Sequence, residues 1–254
     1  MLLSLQGFVL IMSCSRIIWK KECKSALRSP VAWCVFAGFT ALVSLLFIAS
    51  LRAGDNTFEH LPAMFCTQVY LCLCIPVSLF TMRLFAEEKT SGTIEMLMTS
   101  PVRDVDVVMG KFFAAYTLVV LSIGACFIAF PCYTHIANPP PAYSQNSLYG
   151  GIIAVLIVAA MWCAIGTFIS LLSRHQTVAA VATLVIVLAF AAIFTGNVPG
   201  FEHLGVFESI DFADVARGTL DSRMLCGVIS ILVFFLFCSV RLLESRRWCN
   251  AVHN

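Results

Sequence analysis

The sequence predicts an all-α polytopic membrane protein, and three observations carry that prediction. Six stretches, at about 31–51, 62–82, 112–131, 149–172, 177–196 and 224–240, contain no Asp, Glu, Lys or Arg. At about 1.5 Å per residue, a helix of ~20 residues crosses the roughly 30 Å hydrocarbon core of a bilayer. Composition agrees: 60% of residues are hydrophobic, only 12% are charged and the mean hydropathy is +0.92, well away from soluble globular chains. The third observation is where the cations lie. With the N-terminus inside, Arg16, Lys20, Lys21, Lys24, Arg28, Arg83, Lys89, Arg103, Lys111, Arg174, Arg241, Arg246 and Arg247 all fall on the inner side. Only Arg52, Arg217 and Arg223 of the 16 basic residues fall outside, so both termini are expected to be cytoplasmic.

Residues 1–30 are read as an N-terminal extension and an amphipathic interfacial helix. Met1 to Met12 carries no charge and is too short to span. It is an interfacial extension, or Met12 is the true start. The cations follow the apolar stretch instead of preceding it, so it does not have the form of a secretory leader. On a helical wheel Arg16, Lys20, Lys21, Lys24 and Arg28 share one arc, with Trp19, Cys23 and Ala26 opposite. That pattern suits a helix in the inner headgroup layer, with Arg16, Lys20 and Lys24 toward anionic lipid and Trp19 at the interface; a solvated basic flank is the plainer alternative. Pro30 then favours a sharp bend into the first span.

Residues 31–248 form the six-span domain, followed by a cytoplasmic tail at 249–254. The first outer connection, 52–61, is short. The inner loop at 83–107 is the largest on that side. Within it Ser91 or Gly92 can begin a short helix, Glu95 lies in its first turn and Pro101 stops it. Ile94, Leu97 and Met98 form an apolar ridge on that helix, and Glu87, Glu88 and Lys89 a charged cluster before it. Such a helix suits a groove in a soluble partner and equally suits an interfacial anchor. The second outer connection, 132–148, contains Pro139, Pro140 and Pro141 and is expected to be extended. Ser173 to Gln176 is so short that the fourth and fifth spans must form a hairpin. The last outer connection, 197–223, has helical signals: Asp211 as a cap, Arg217 late and Gly218 past the end.

Several functions are set aside. Ion-coupled carriers and channels place charge at bilayer depth, and these spans hold none. No Gly-x-Ser-x-Gly or His-Glu-x-x-His sequence supports hydrolysis. No phosphate loop occurs: Gly110-Lys111 is followed by Phe112, and Val105 stands where the upstream Gly belongs. Force for vectorial work must therefore come from another subunit. Phe-Glu-His-Leu occurs at Phe58–Leu61 and at Phe201–Leu204, but a chance repeat suffices and no metal site is expected. The 12 cysteines read mainly as apolar packing residues; a disulfide is conceivable only among Cys66, Cys132 and Cys226.

Phe85-Ala-Glu-Glu-Lys-x-x-Gly-Thr-Ile-Glu-x-Leu-x-x-x-Pro101 resembles the first cytoplasmic loop of type-2 ABC transporter permease subunits. Lys20-Lys-Glu-x-Lys-Ser-x-x-x-Ser-Pro30 and Val240-Arg-Leu-Leu-Glu-Ser-Arg-Arg-Trp248 resemble the gliding-motility-associated branch of that family. The resemblance runs from about residue 16 to 248. The chain departs from it in its Cys-rich spans, in the apolar residues before Met12, and in His175, where Asn is common in the family.

The resemblance implies a half-transporter in the bacterial inner membrane, paired with a second copy or paralogue and with two ATPase subunits. ATP and Mg would be bound by the ATPase, not by this chain. The 83–107 loop would hold the coupling helix, with Glu87, Glu88, Gly92, Thr93, Glu95 and Pro101 in that element and Gly92 as its permissive turn. The helix at 16–28 would be the connecting helix. An exporter is expected, itself not an enzyme, with lipid around it and no nucleic acid partner. The alternative is a non-transporting membrane scaffold for a cell-surface, gliding-type machine.

Overall fold

A computed structural model describes residues 2–52, 61–90, 92, 103–136, 145–194 and 222–252, with side chains described in 15–52, 61–90, 92, 103–132, 148–191 and 225–245. The described residues form nine helices and no strands: α1 (Leu2–Arg28), α2 (Pro30–Arg52), α3 (Leu61–Cys72), α4 (Cys74–Thr81), α5 (Arg83–Thr90), α6 (Asp104–Ile136), α7 (Gln145–Leu172), α8 (Gln176–Phe194) and α9 (Ser222–Val252). Five stretches are long and apolar enough to cross a membrane: Pro30–Arg52, Leu61–Thr90, Asp104–Cys132, Leu148–Leu172 and Leu225–Ser245. The expected fifth span at 177–196 corresponds to α8, whose fully described part, Gln176–Ala191, falls short of that length. The all-helical, multi-pass architecture is thus present with five clear crossings where the sequence predicts six. The outer loop at 197–223, the coupling-helix stretch 93–101 and both copies of Phe-Glu-His, at 58–60 and 201–203, lie outside or almost wholly outside the described residues.

Local chemistry sets the breaks between helices. Pro30 opens α2 at a position where its missing N–H costs no hydrogen bond. Ser29 caps the same turn, its Oγ accepting from Val31 N at 3.4 Å. Trp33 Nε1 donates back to Leu27 O at 3.0 Å, holding the elbow between α1 and α2. The second crossing is interrupted at Leu73 and at Met82. Pro76 has no N–H for the Cys72 carbonyl four residues earlier, while Val77 N still donates to Leu73 O at 3.2 Å. The helix is therefore loosened without being lost. Asp104 and Asp106 open α6 as acidic first-turn residues, which suit the positive end of the helix dipole.

The α7 helix is the axis of the bundle. Met161, Trp162, Cys163, Ala164 and Ile165 are all fully buried, which happens only when neighbours surround a helix on every side; α3, α4, α6, α8 and α9 pack around it. Between apolar helices in lipid, close packing rather than water exclusion holds the assembly together. Two glycines supply the closeness: a Cβ on Gly151 would collide with Cys66 Sγ, and one on Gly166 would lie 2.8 Å from both Cβ and Cγ2 of Thr81. The Tyr70 ring packs at a tilt against Trp162 with centroids 4.8 Å apart, and the Phe65 ring lies 4.8 Å from that of Phe130 and 5.2 Å from that of Phe47. On the periphery Leu45, Val181, Val185, Val233, Phe234 and Phe237 are exposed, an apolar exterior suited to lipid. Cys66, Cys132 and Cys226 are free thiols, Cys66 being buried.

Candidate functional site

One end of the bundle gathers the C-terminal part of α1, α5, the start of α6, the end of α7 and the later part of α9. A second buried apolar cluster marks it: Leu84, Phe85, Val107, Val108, Ala115, Leu171 and Leu243, with Ile18 and Val240 packed on its edge. Inside this apolar setting stands Lys111, with 2% of its side chain exposed.

An ammonium has three hydrogens to donate, and Lys111 donates to three acceptors. They are Glu22 Oε1 of α1 at 3.1 Å, Glu88 Oε1 of α5 at 2.8 Å and the Leu84 carbonyl at 2.6 Å. Its Nζ also lies 5.1 Å from the centroid of the Phe85 ring, a favourable cation–π distance. A buried charge is tolerable when every donor is matched in this way. The consequence is mechanical: a single side chain of α6 fastens the N-terminal helix to the helix that opens the inner loop.

Two further devices secure α5. Helix α4 ends at Thr81 and α5 starts at Arg83, so the first amides of α5 need acceptors from elsewhere. Ser170 of α7 supplies one: its Oγ accepts from Phe85 N at 3.2 Å and Ala86 N at 3.4 Å, and donates to Met82 O at 3.3 Å. The hydroxyl is then fully used. Lys89 donates to Ser173 O at 2.8 Å and to the Leu171 carbonyl, placing a cation where the carbonyls of α7 run out of partners. Ser170→Ala is expected to cost about 1–3 kcal/mol, because it strands buried amides. Thermal unfolding in detergent would measure it, and an unchanged midpoint would mean that the α4–α5 break satisfies itself.

The α1 helix packs along α6. Trp19 Nε1 donates to Thr117 Oγ1 at 2.8 Å and Cys23 Sγ approaches the Ala114 carbonyl at 3.9 Å; burial pushes the Cys23 thiol up from its ordinary value. Gly110 allows the approach, since a Cβ there would meet Ile18 Cβ and Ser15 O at 3.0 Å. Arg16, Lys20 and Lys24 are exposed. The Trp19 indole is thus committed to a protein partner.

Of the residues singled out in the loop, Glu88 belongs to the Lys111 clasp and Glu87 is exposed beside it on α5. Gly92 has φ +73°, a backbone state that glycine adopts freely and side-chain-bearing residues resist. Thr93, Ile94, Glu95, Leu97 and Pro101 lie outside the described residues. Reading the sequence missed Lys111, Glu22 and Ser170 as partners. A signal was available for two of them. Glu22 is a lone acid on the packed side of α1, and Lys111 a lone cation in a stripe that runs Val107, Val108, Lys111, Phe112, Ala115. Among the described residues no group of three or more His, Cys, Asp or Glu could hold a metal ion.

Residues 16–204 match a protein family described as ABC-2 family transporter protein. The match covers well over half of the chain. A comparison with curated proteins finds no match.

Proposed function

The chain belongs to the ABC-2 transporter family, and on that premise we propose that it is the permease half of an ATP-driven exporter, worked by a separate ATPase through the 83–107 loop. Members of the family generally work with an ABC ATPase partner, and their domain is the membrane component, not the catalytic one. Within the family we assign the chain to the gliding-motility-associated branch, on its flanks at Lys20–Pro30 and Val240–Trp248. We take α8 as a sixth crossing, so that both termini are cytoplasmic and the Lys111 end of the bundle faces the bacterial cytoplasm. A second copy or a paralogue completes the path.

The observation that carries this reading is the Lys111 clasp. The loop expected to meet the ATPase emerges from α5, and α5 is tied by side chains to α1, α6 and α7 at once. A displacement of the loop would reach three helices through matched polar contacts in an apolar surround, where they are strong. Glu95 and the ridge of Ile94 and Leu97 would meet the ATPase, with Gly92 as the turn between α5 and that helix.

The test uses the permease co-expressed with its ATPase in proteoliposomes. Glu95→Lys and Gly92→Val should each leave the permease folded and inserted but lower permease-stimulated ATP hydrolysis by at least tenfold. Gly92→Val acts through backbone strain of about 1–2 kcal/mol at positive φ, Glu95→Lys through reversed charge at the docking surface. Unchanged stimulation in both variants would defeat the coupling assignment. Tenfold losses without any ATP-dependent cargo movement, even in the parent protein, would instead indicate the scaffold.

A further inference from the structure

A cavity of about 290 Å³ lies under the elbow between α1 and α2, walled by α1, α2, α4, α5 and α6. Its lining mixes two chemistries. Val35, Leu79, Phe80 and Leu118 are among its apolar lining residues, and Ser25, Ser29, Arg83, Glu22 and Glu87 are its polar ones. It sits where the apolar spans give way to charged residues, at the level of headgroups when the crossings are placed in a bilayer. In volume it is near the lower end of the range for small-ligand sites.

Arg83 is the informative residue. It is exposed, it lines the cavity, and it has no hydrogen bond or ion pair among the described residues. Its neighbours Lys89 and Lys111 are, by contrast, both committed to protein acceptors. A guanidinium presents a planar fork of donors matched to phosphate oxygens. Glu22 and Glu87 on the same wall would oppose a purely anionic ligand and favour one that also carries a cation. Phosphate, an ammonium and an apolar tail together describe a zwitterionic phospholipid of the phosphoethanolamine type.

We propose that this cavity holds an inner-leaflet phosphoethanolamine lipid, its phosphate on Arg83, its ammonium toward Glu87 and its proximal acyl chain against Leu79, Phe80 and Leu118. The lipid would lie against both α1 and α5, and so against both helices joined by Lys111. The site rests on the membrane placement made under Proposed function but not on the ATPase, so its test omits the ATPase and either idea can fail alone.

The experiment is native mass spectrometry of the full chain after delipidation in detergent and re-addition of defined lipid. With phosphatidylethanolamine the parent protein should retain about one lipid per chain, and with phosphatidylglycerol at least fivefold less. Arg83→Ala and Ser25→Trp, both at exposed positions and expected to fold, should lose the retained lipid, whereas Arg83→Lys should keep part of it. Glycerophosphoethanolamine, the headgroup without tails, should not displace the lipid at equal concentration. Three results would overturn the proposal: equal retention of both lipids, retention unaffected by Arg83→Ala and Ser25→Trp, or displacement by the soluble headgroup, which would assign the cavity to a water-soluble phosphoamine.

Discussion

Lys111→Ala is expected to destabilise the chain by about 3–5 kcal/mol, the cost of breaking a buried ionic cluster by removing one member. It should also abolish ATPase stimulation in reconstituted vesicles. The two effects have one origin. Glu22 Oε1 at 3.1 Å and Glu88 Oε1 at 2.8 Å converge on one Nζ, so without it two carboxylates, each only about a quarter exposed, are left unneutralised beside the apolar cluster. Lys111→Met keeps the stem and avoids a cavity, yet leaves the same repulsion and should recover little. The triple variant Glu22→Gln, Lys111→Met, Glu88→Gln removes charge from every member. Buried ionic clusters replaced by well-packed apolar residues often regain their stability; Met takes the buried position, and the two Gln amides stand at quarter-exposed positions where water can reach them, so its unfolding midpoint should return close to that of the parent. Its ATPase stimulation should stay low, because α1 and α5 are no longer tied. Full stimulation in a stable triple variant would show that Lys111 only holds the fold.

Five of the six predicted crossings were legible because a charge-free run of ~20 residues has few alternatives once the solvent is lipid. Pro30 at the α1–α2 elbow and the short link after Leu172 were legible for the same reason: each imposes a local geometry whatever packs around it. The full length of α5 was not. Arg83 to Thr90 continues the second crossing with its amides and Lys89 bonded to Ser170 of α7 and to Ser173 just past its end, and those partners lie 84 and 85 residues apart in the chain for the Lys89–Ser173 and Phe85–Ser170 bonds. Glu87 and Glu88 could be recognised as a charged pair by the loop, but adjacent helical residues point in different directions, and only the fold decides that Glu88 turns inward. Amphipathicity identified the packed face of α1 without identifying what it packs on: Trp19 and Cys23 suit a lipid interface by composition, whereas in the fold they lie on α6.

Gly166→Val should be the most damaging single substitution within the crossings. The wheel of α7 has no open side at this level, and the group it would strike is the side chain of Thr81, near the end of α4. That side chain has little room to yield. A β-branched residue in a helix is held to few rotamers, and Thr81 is fully buried with its Oγ1 donating to Val77 O at 2.8 Å. Overpacking of a tight core costs typically about 1–3 kcal/mol per insertion, so Gly166→Ala should fall in that range and Gly166→Val above it. The strain has a defined escape: Thr81→Ala removes Oγ1 and Cγ2, the atoms nearest the added carbon apart from Cβ itself. In a double-mutant cycle, Gly166→Ala with Thr81→Ala should therefore cost at least 1 kcal/mol less than the sum of the two single changes. Additive costs would mean that α7 and α4 separate instead of clashing. In that event Ser170, one turn farther along α7, would be drawn away from Phe85 and Ala86, and the loss of packing between two crossings would reappear as lost coupling at α5.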